Sequence, residues 1–188
     1  MKKLLALALV VMMAGGAQAL VWGDVGGAMG LFFSNTEFTD EMTNKVTTGD
    51  PFDAYIVILD CQTTLIGGYE LGMTFPAGTF ILGATGPNGW TNFGDNTNHL
   101  AGYGEPVPVV PTGTVIGTLS VLSSATGDIT FGPSDPSSFG PGAPVEWVGP
   151  GFSDGNDPTV LLTCWLTGGT SGEVATVATL NGSGITAT

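Results

Sequence analysis

The chain has 188 residues and a one-sided charge: 16 Asp and Glu residues stand against three Lys and Arg, for a formal net charge of −13. Nucleic-acid binding requires cations that neutralise phosphates, so this composition excludes nucleic acid as a partner and disfavours anionic membranes and phosphorylated substrates. Only 10% of the residues are charged, against about 25% in ordinary proteins. The acidity therefore indicates a solvated surface rich in Gly, Thr, Ser and Asn, with cation binding or adaptation to salty surroundings as the alternative.

Residues 1–19 are predicted to be a secretory signal peptide. Lys2 and Lys3 precede an apolar run at residues 4–13, and Ala17-Gln18-Ala19 is a small-x-small cleavage site. The run is too short to cross about 30 Å of hydrocarbon, so it does not predict a transmembrane anchor. We expect one mature domain over residues 20–188, exported to the periplasm or the exterior of a bacterium. Its formal charge is 1 − 16 = −15, because Lys45 is its only basic residue.

Short strands are predicted along the whole mature chain. β-Branched and aromatic runs alternate with clusters of Gly, Pro, Asn and Asp, and no window shows a sustained helical period. The predicted strands span residues 28–33, 54–61, 69–75, 80–84, 99–103, 114–122, 128–131, 159–166 and 173–180. This pattern predicts an all-β fold: a single antiparallel β-sandwich of about eight to ten strands, jelly-roll or immunoglobulin-like in type.

Three local patterns in the sequence predict the structure of particular segments. In residues 69–75 the apolar side chains alternate with Glu70, Gly72 and Thr74, which predicts a half-buried strand with Glu70 in solvent. The turn Thr126-Gly127 predicts a hairpin between residues 114–122 and 128–131. Residues 132–158 form the longest irregular segment, which predicts either a packed surface excursion or a binding loop.

A family resemblance is carried by residues 49–76. Gly49-Asp50 leads into an apolar strand, and residues 66–75 follow the pattern I-x-G-x-x-h-x-h-x-a, where h is apolar and a is aromatic. A later strand contains Leu119 and is followed by the short strand at 128–131. This pattern resembles that of cohesins and carbohydrate-binding modules over roughly half of the mature chain. The resemblance implies a non-catalytic module that binds a polysaccharide or an extracellular protein.

The two cysteines, Cys61 and Cys164, are predicted to form one disulfide bond. An exported chain meets an oxidising compartment, and an even pair of cysteines is typical of a disulfide there. The alternative is two separate buried thiols.

The sequence does not predict an enzyme. It has no G-x-S-x-G motif, and a Ser–His–Asp triad would have to use His99, the only histidine. A zinc site needs three or four His, Cys or carboxylate ligands, and one histidine with two cysteines does not indicate one. His99 is expected in a loop or at the end of a strand. Glu70, Glu105 and Glu146 are the remaining candidates for a carboxylate pair, which only geometry can establish.

Two kinds of ligand site remain possible. Asp95 in one loop, and Asp154, Asn156 and Asp157 in another, concentrate the hard oxygen ligands that calcium prefers, although Asp and Asn also form Asx-turns for structural reasons. Trp90 and Trp147 lie in predicted loops, where they could stack on sugar rings or pack into the core instead. No cofactor other than calcium is predicted.

The sequence thus favours a secreted recognition module for polysaccharide or an extracellular protein partner. The alternative is a structural subunit of a cell-surface layer, filament or adhesive matrix, because low charge and abundant Gly, Thr and Ser suit both. Function is expected in the loops at residues 86–98 and 132–158, which the strands hold in place.

Overall fold

The computed structural model describes residues 21–22, 26–135, 150–157, 160–167 and 174–185. The predicted signal peptide, Glu146 and Trp147 lie outside these residues. In chain order the strands are β1 (Val21–Trp22), β2 (Ala28–Phe32), β3 (Asn44–Lys45), β4 (Phe52–Leu59), β5 (Leu65–Thr74), β6 (Thr79–Thr85), β7 (Thr91–Asn92), β8 (Asn98–Pro108), β9 (Thr114–Ser123), β10 (Gly127–Gly132), β11 (Gly151–Asp154), β12 (Val160–Thr163), β13 (Trp165–Leu166) and β14 (Ala175–Leu180). One 3₁₀ turn, Asp40–Thr43, precedes β3. The all-β prediction is confirmed.

The strands form two sheets. The smaller sheet has the order β13-β2-β4-β9-β6. The larger sheet has the order β1-β12-β11-β5-β10-β14-β3. β11 and β10 share one edge of β5, whereas β8 pairs with the other edge and β7 pairs with β8. β5 is therefore the central strand of the larger sheet.

The sheets are mixed, which corrects the prediction of an antiparallel fold. β1 with β12, β13 with β2 and β14 with β3 are parallel pairs. Each joins segments that are distant in the sequence, so no hairpin turn fixes their relative direction.

Both sheets contribute to one hydrophobic core. Ile56, Ile116 and Leu119 of the smaller sheet and Leu71 and Phe131 of the larger sheet are fully buried in the same cluster. The apolar side chains of β5 face this core as predicted, since Tyr69, Leu71 and Met73 all belong to it.

The connection between β9 and β10 differs from the predicted hairpin. β9 belongs to the smaller sheet, whereas β10 pairs with β5 and β14 in the larger sheet. The turn at Gly127 therefore carries the chain from one sheet to the other. A turn signal in the sequence specifies a reversal of direction, but it does not specify which strand becomes the partner.

Glu70 is buried, with only 4% of its surface exposed, which corrects its predicted exposure to solvent. Leu100 of β8 and Gly151 of β11 flank it on the two neighbouring strands. Farther along β5, the carbonyl group of Pro133 lies so close to Gly72 that a Cβ there would collide with it. The chain after β10 therefore covers part of the face of β5 that points away from the core.

Leu119 provides a test of the shared core. We expect Leu119→Ala to lower the free energy of unfolding by about 2–5 kcal/mol, because the substitution leaves a cavity at a fully buried position. Leu122→Ala, three residues along the same strand at a partly exposed position, should cost clearly less. Urea unfolding monitored by tryptophan fluorescence measures both values, and equal losses would contradict the assigned faces of β9.

Candidate functional site

The loop between β7 and β8 is held rigid by its own polar side chains. One carboxylate oxygen of Asp95 accepts hydrogen bonds from the backbone N–H groups of Thr97 (2.7 Å) and Asn98 (2.8 Å) and from the Thr97 hydroxyl (2.9 Å). The Asn92 side-chain oxygen accepts from the N–H groups of Gly94 (3.1 Å) and Leu100 (2.9 Å). The hydrogen bonds from Thr97 and Asn98 lower the pKa of Asp95, so its carboxylate stays charged.

Two hydrogen bonds join this loop to the segment that follows β10. The Asn98 side-chain amide donates to the backbone carbonyl of Asp135 (2.6 Å), and the Asp135 N–H donates to the Asn98 side-chain oxygen (2.8 Å). The structure thereby brings together the two loops that the sequence identified for function. Because Asp135 uses only its backbone in this contact, these two bonds leave its carboxylate available.

An open depression of about 390 Å³ lies where the two segments meet. Its polar lining comprises Asp95, Thr97 and Asn98 from the β7–β8 loop together with Thr74, Thr130 and Asp135. Its apolar part includes Met73 and Val174, and 67% of Val174 is exposed. Two carboxylates and three hydroxyls in one concave surface can accept hydrogen bonds from hydroxyl or amino groups, and the carboxylates repel anions.

The structure does not bring together the predicted calcium ligands, because Asp95 lies on a different loop from Asp154, Asn156 and Asp157. The loop that contains Asp154 is a hydrogen-bonded turn. The Asp154 carboxylate accepts hydrogen bonds from Thr63 Oγ1 (2.7 Å), the Asn156 N–H (2.8 Å) and Asn156 Nδ2 (2.9 Å). Burial raises the pKa of Asp154, but hydrogen bonds from Thr63 and Asn156 outweigh this effect and lower it overall. This geometry is that of an Asx-turn.

Asp95 and Asp154 lie near opposite ends of β5. Asp154 pairs with Ile66 near its start, whereas the carbonyl of Thr97, in the Asp95 loop, accepts a hydrogen bond from Met73 near its end. Over the part of the chain that the structure describes, no three His, Cys, Asp or Glu residues cluster in a way that could hold a metal ion. Calcium binding stays a prediction.

Trp90 packs inward. It is partly buried against the hydrophobic core. The exposed aromatic ring of this loop is that of Phe93, at 48%. Turn-forming residues at positions 92 and 94 flank Phe93 in the sequence, and this signal could have identified it as an exposed loop residue. Sugar stacking by Trp90 stays a prediction, and Trp147 lies outside the described residues.

His99 lies in the interior, as the second residue of β8, and is fully buried. Its Nδ1 is 2.8 Å from the hydroxyl of Tyr69, and its ring meets that of Trp90 edge-on, with 5.7 Å between centroids. Burial lowers the pKa of His99 to about 4 and raises that of Tyr69 above its usual range. A protonated Tyr69 hydroxyl and a neutral His99 ring therefore share this hydrogen bond.

The carboxylates considered for catalysis differ in their surroundings. Glu70 is buried, Glu105 is exposed, and Glu146 lies outside the described residues. Neither Glu70 nor Glu105 lines the depression.

The two cysteines are free thiols, which corrects the predicted disulfide bond. β2 lies between them: Gly27, just before β2, accepts a hydrogen bond from the Trp165 N–H on one side and approaches the Cα of Cys61 on the other. Segments separated by one intervening strand are about 9–10 Å apart, whereas a disulfide requires Cα atoms within about 7 Å. Burial, and then the charge of Cys61, raise the pKa of Cys164.

Comparison with models of known protein families finds no match to this sequence, and comparison with curated protein sequences finds none either. In the described ranges of the chain, no helix is long and apolar enough to cross a membrane.

Thiol titration tests the free cysteines. We expect two reactive thiols per chain in denaturant without reductant, and slow or absent reaction of Cys164 in the native protein, because the thiolate is the reactive form and burial disfavours it. Cys61→Ser should leave only the protected thiol and Cys164→Ser the partly accessible one. A titre of zero in denaturant would show that the cysteines are bonded.

The buried histidine predicts a pH dependence of stability. The pKa of His99 is about 4 in the folded protein against 6.5 ordinarily, so the unfolded chain binds more protons between these values and the free energy of unfolding falls as the pH drops through this range. The loss should approach about 3 kcal/mol at the acidic end. His99→Gln keeps an acceptor for Tyr69 without titrating, so it should lose this component.

The readout is urea unfolding at a series of pH values, compared between the wild type and His99→Gln. Because the carboxylates titrate in both proteins, the difference between the two curves isolates His99. Parallel curves between pH 4 and 6.5 would contradict a buried, neutral His99.

Proposed function

We propose that this protein is a secreted, non-catalytic recognition module that binds polysaccharide at the bacterial exterior through the depression between the β7–β8 loop and the segment after β10. In this proposal the two sheets form a β-sandwich of the jelly-roll or immunoglobulin-like type, similar to cohesins and carbohydrate-binding modules. A protein ligand at the same site is the alternative that remains if no polysaccharide binds.

The observation that carries the proposal is the paired hydrogen bond between Asn98 and Asp135. It holds two loops from distant parts of the sequence around one concave surface. Loops fixed on a rigid scaffold are where binding sites are commonly found.

The chemistry of the depression favours hydroxyl-rich ligands without negative charge. The carboxylates of Asp95 and Asp135 accept hydrogen bonds from sugar hydroxyls, and such charge-assisted bonds are stronger than neutral ones. Val174 offers an apolar surface beside them. Phe93, exposed on the same loop as Asp95, is suited to packing on a sugar ring. Polysaccharides rich in uronic acid or sulfate would be repelled.

Asp135→Ala tests this assignment without disturbing the loop contact, because Asn98 binds only the backbone of Asp135. With the mature chain and a panel of neutral, amino and acidic polysaccharides, we expect binding to a neutral or amino polysaccharide that the variant weakens by about tenfold or more, the usual cost of losing a charge-assisted hydrogen bond. Calorimetric titration measures the affinities.

Asp128→Ala is the matched control, since it removes an exposed carboxylate of β10 that does not line the depression. It should bind as the wild type does. The proposal fails if no polysaccharide of the panel binds, if acidic ones bind best, or if Asp135→Ala binds as tightly as Asp128→Ala.

A further inference from the structure

The outer face of the smaller sheet carries exposed apolar side chains on an edge strand. β6 pairs with β9 alone, so its other side is an edge of the sheet among the described strands. Phe80 and Leu82 of β6 are 62% and 55% exposed. Leu122 of β9 is the register partner of Phe80 and lies beside it on this surface. We call these three residues the β6–β9 face.

A shallow depression of about 190 Å³ adjoins the β6–β9 face. Phe80 and Leu122 line it, together with Gly49, Gly78, Ser123 and Ser124. A cavity of about 150 Å³ holds a benzene ring, so this depression has room for one large apolar side chain. The face therefore combines a protruding element, Leu82, with a recess near it.

The edge of β6 lacks two of the common features that prevent association. It contains neither proline nor a charged residue, whereas natural edges are commonly protected by both. By comparison, the C-terminal half of β8 contains Pro106 and Pro108, and the Gly104 N–H donates a hydrogen bond to the carbonyl of Asn88.

The backbone of β6 is nevertheless partly protected. Its pairing with β9 is irregular between Ile81 and Gly83, and the Asn96 side chain donates to the carbonyl of Ile81 (3.3 Å). Contact through the side chains of the face is therefore favoured over simple addition of a strand to the edge.

The distribution of charged residues favours a second copy of the chain as the partner that docks on the β6–β9 face. No Asp, Glu, Lys, Arg or His occurs between Glu70 and Asp95, or between Glu105 and Asp128, so β6 and β9 are both free of charge. The mature chain as a whole carries 1 − 16 = −15, and two copies repel each other wherever their acidic surfaces meet. The β6–β9 face itself offers no charge for an ionic partner to recognise, although Asp53 of β4, exposed and in register with Ser120 of β9, lies beside it. Two copies that meet on this face therefore bring fewer carboxylates together than copies that meet through their acidic surfaces.

We propose that a second copy of this chain docks on the β6–β9 face in a two-fold symmetric dimer. In such an interface each contact occurs twice: Leu82 of one copy enters the recess of the other, and the reverse. The proposal is independent of polysaccharide binding, because the site that holds Asp95 and Asp135 lies outside this face. It supplies the self-association that a structural subunit would need.

Sedimentation equilibrium of the mature chain over a wide concentration range tests the proposal. We expect a reversible monomer–dimer equilibrium that added salt strengthens, because salt screens the repulsion between two acidic copies and leaves an uncharged contact intact. Mass that stays monomeric at every concentration and salt level would overturn the proposal, as would open-ended assemblies or a dimer that salt dissociates.

A charge swap at Leu82 tests the symmetry. Leu82→Glu and Leu82→Lys should each weaken dimerisation by about tenfold or more, because either sign introduces charge into an apolar contact on both copies. An equimolar mixture of the two variants should recover dimers, since opposite charges then meet across the interface. If only one sign disrupts, or if the mixture recovers nothing, the two-fold contact is wrong.

Two controls distinguish a loss of dimerisation from misfolding and from a general effect of added charge. Leu82 is more than half exposed, so both variants should keep the thermal unfolding midpoint of the wild type to within a few degrees. Val110→Glu places the same charge at another half-exposed apolar position, before the opposite end of β9, and should dimerise as the wild type does. Equal loss of dimerisation in Val110→Glu would show that added charge alone, rather than its position, is responsible.

Discussion

The burial of β5 is the constraint on which the rest of the structure depends. Its core face is apolar and packs in the core that both sheets share, through Tyr69, Leu71 and Met73. Its other face contains Glu70, which is buried too. Neighbours on both sides complete its backbone pairing, with β8 along one edge and β11 and β10 sharing the other. Because β5 runs through the middle of the larger sheet, every loop near either of its ends inherits a fixed position.

The polar loops at the two ends of β5 show how this rigidity is used. At one end, Asp154 and Asn156 close a turn on Thr63, just before the strand begins. At the other, Asp95 closes a turn whose Thr97 carbonyl bonds to Met73. Both carboxylates organise backbone N–H groups in the same way, yet only the second lies in the depression, next to the segment that follows β10. The Asp154 turn and the Asp95 turn therefore differ in the distant segment that the fold places beside each of them. Only the Asp95 turn has such a segment beside it in a depression, and this makes it the candidate binding site.

The same dependence on distant segments explains what the sequence could and could not predict. Strands β4, β5 and β9 could be predicted because each is long and carries a continuous or alternating apolar pattern. The four residues of β11, Gly-Phe-Ser-Asp, are too short and too polar to show that pattern. The burial of Glu70 depends on covering segments rather than on its own strand, so local alternation gives the wrong result. The site could not be predicted as a unit, because it requires the contact of Asn98 with Asp135, 37 residues away. The disulfide prediction failed for a related reason, since an even number of cysteines and an expected oxidising compartment cannot reveal that β2 lies between the two cysteines.

A chain in which 16 acidic residues stand against three basic ones offers two kinds of surface for contact. Where carboxylates converge, as at Asp95 and Asp135, the electrostatic field favours neutral or cationic ligands and opposes a second copy. Where charge is missing, as on β6 and β9, repulsion is weakest and apolar burial can dominate. Binding and self-association would then occupy different faces and could act together. A dimer built on the β6–β9 face presents two acidic depressions, so a polymeric ligand that spans both would bind with a gain in avidity that neither copy has alone.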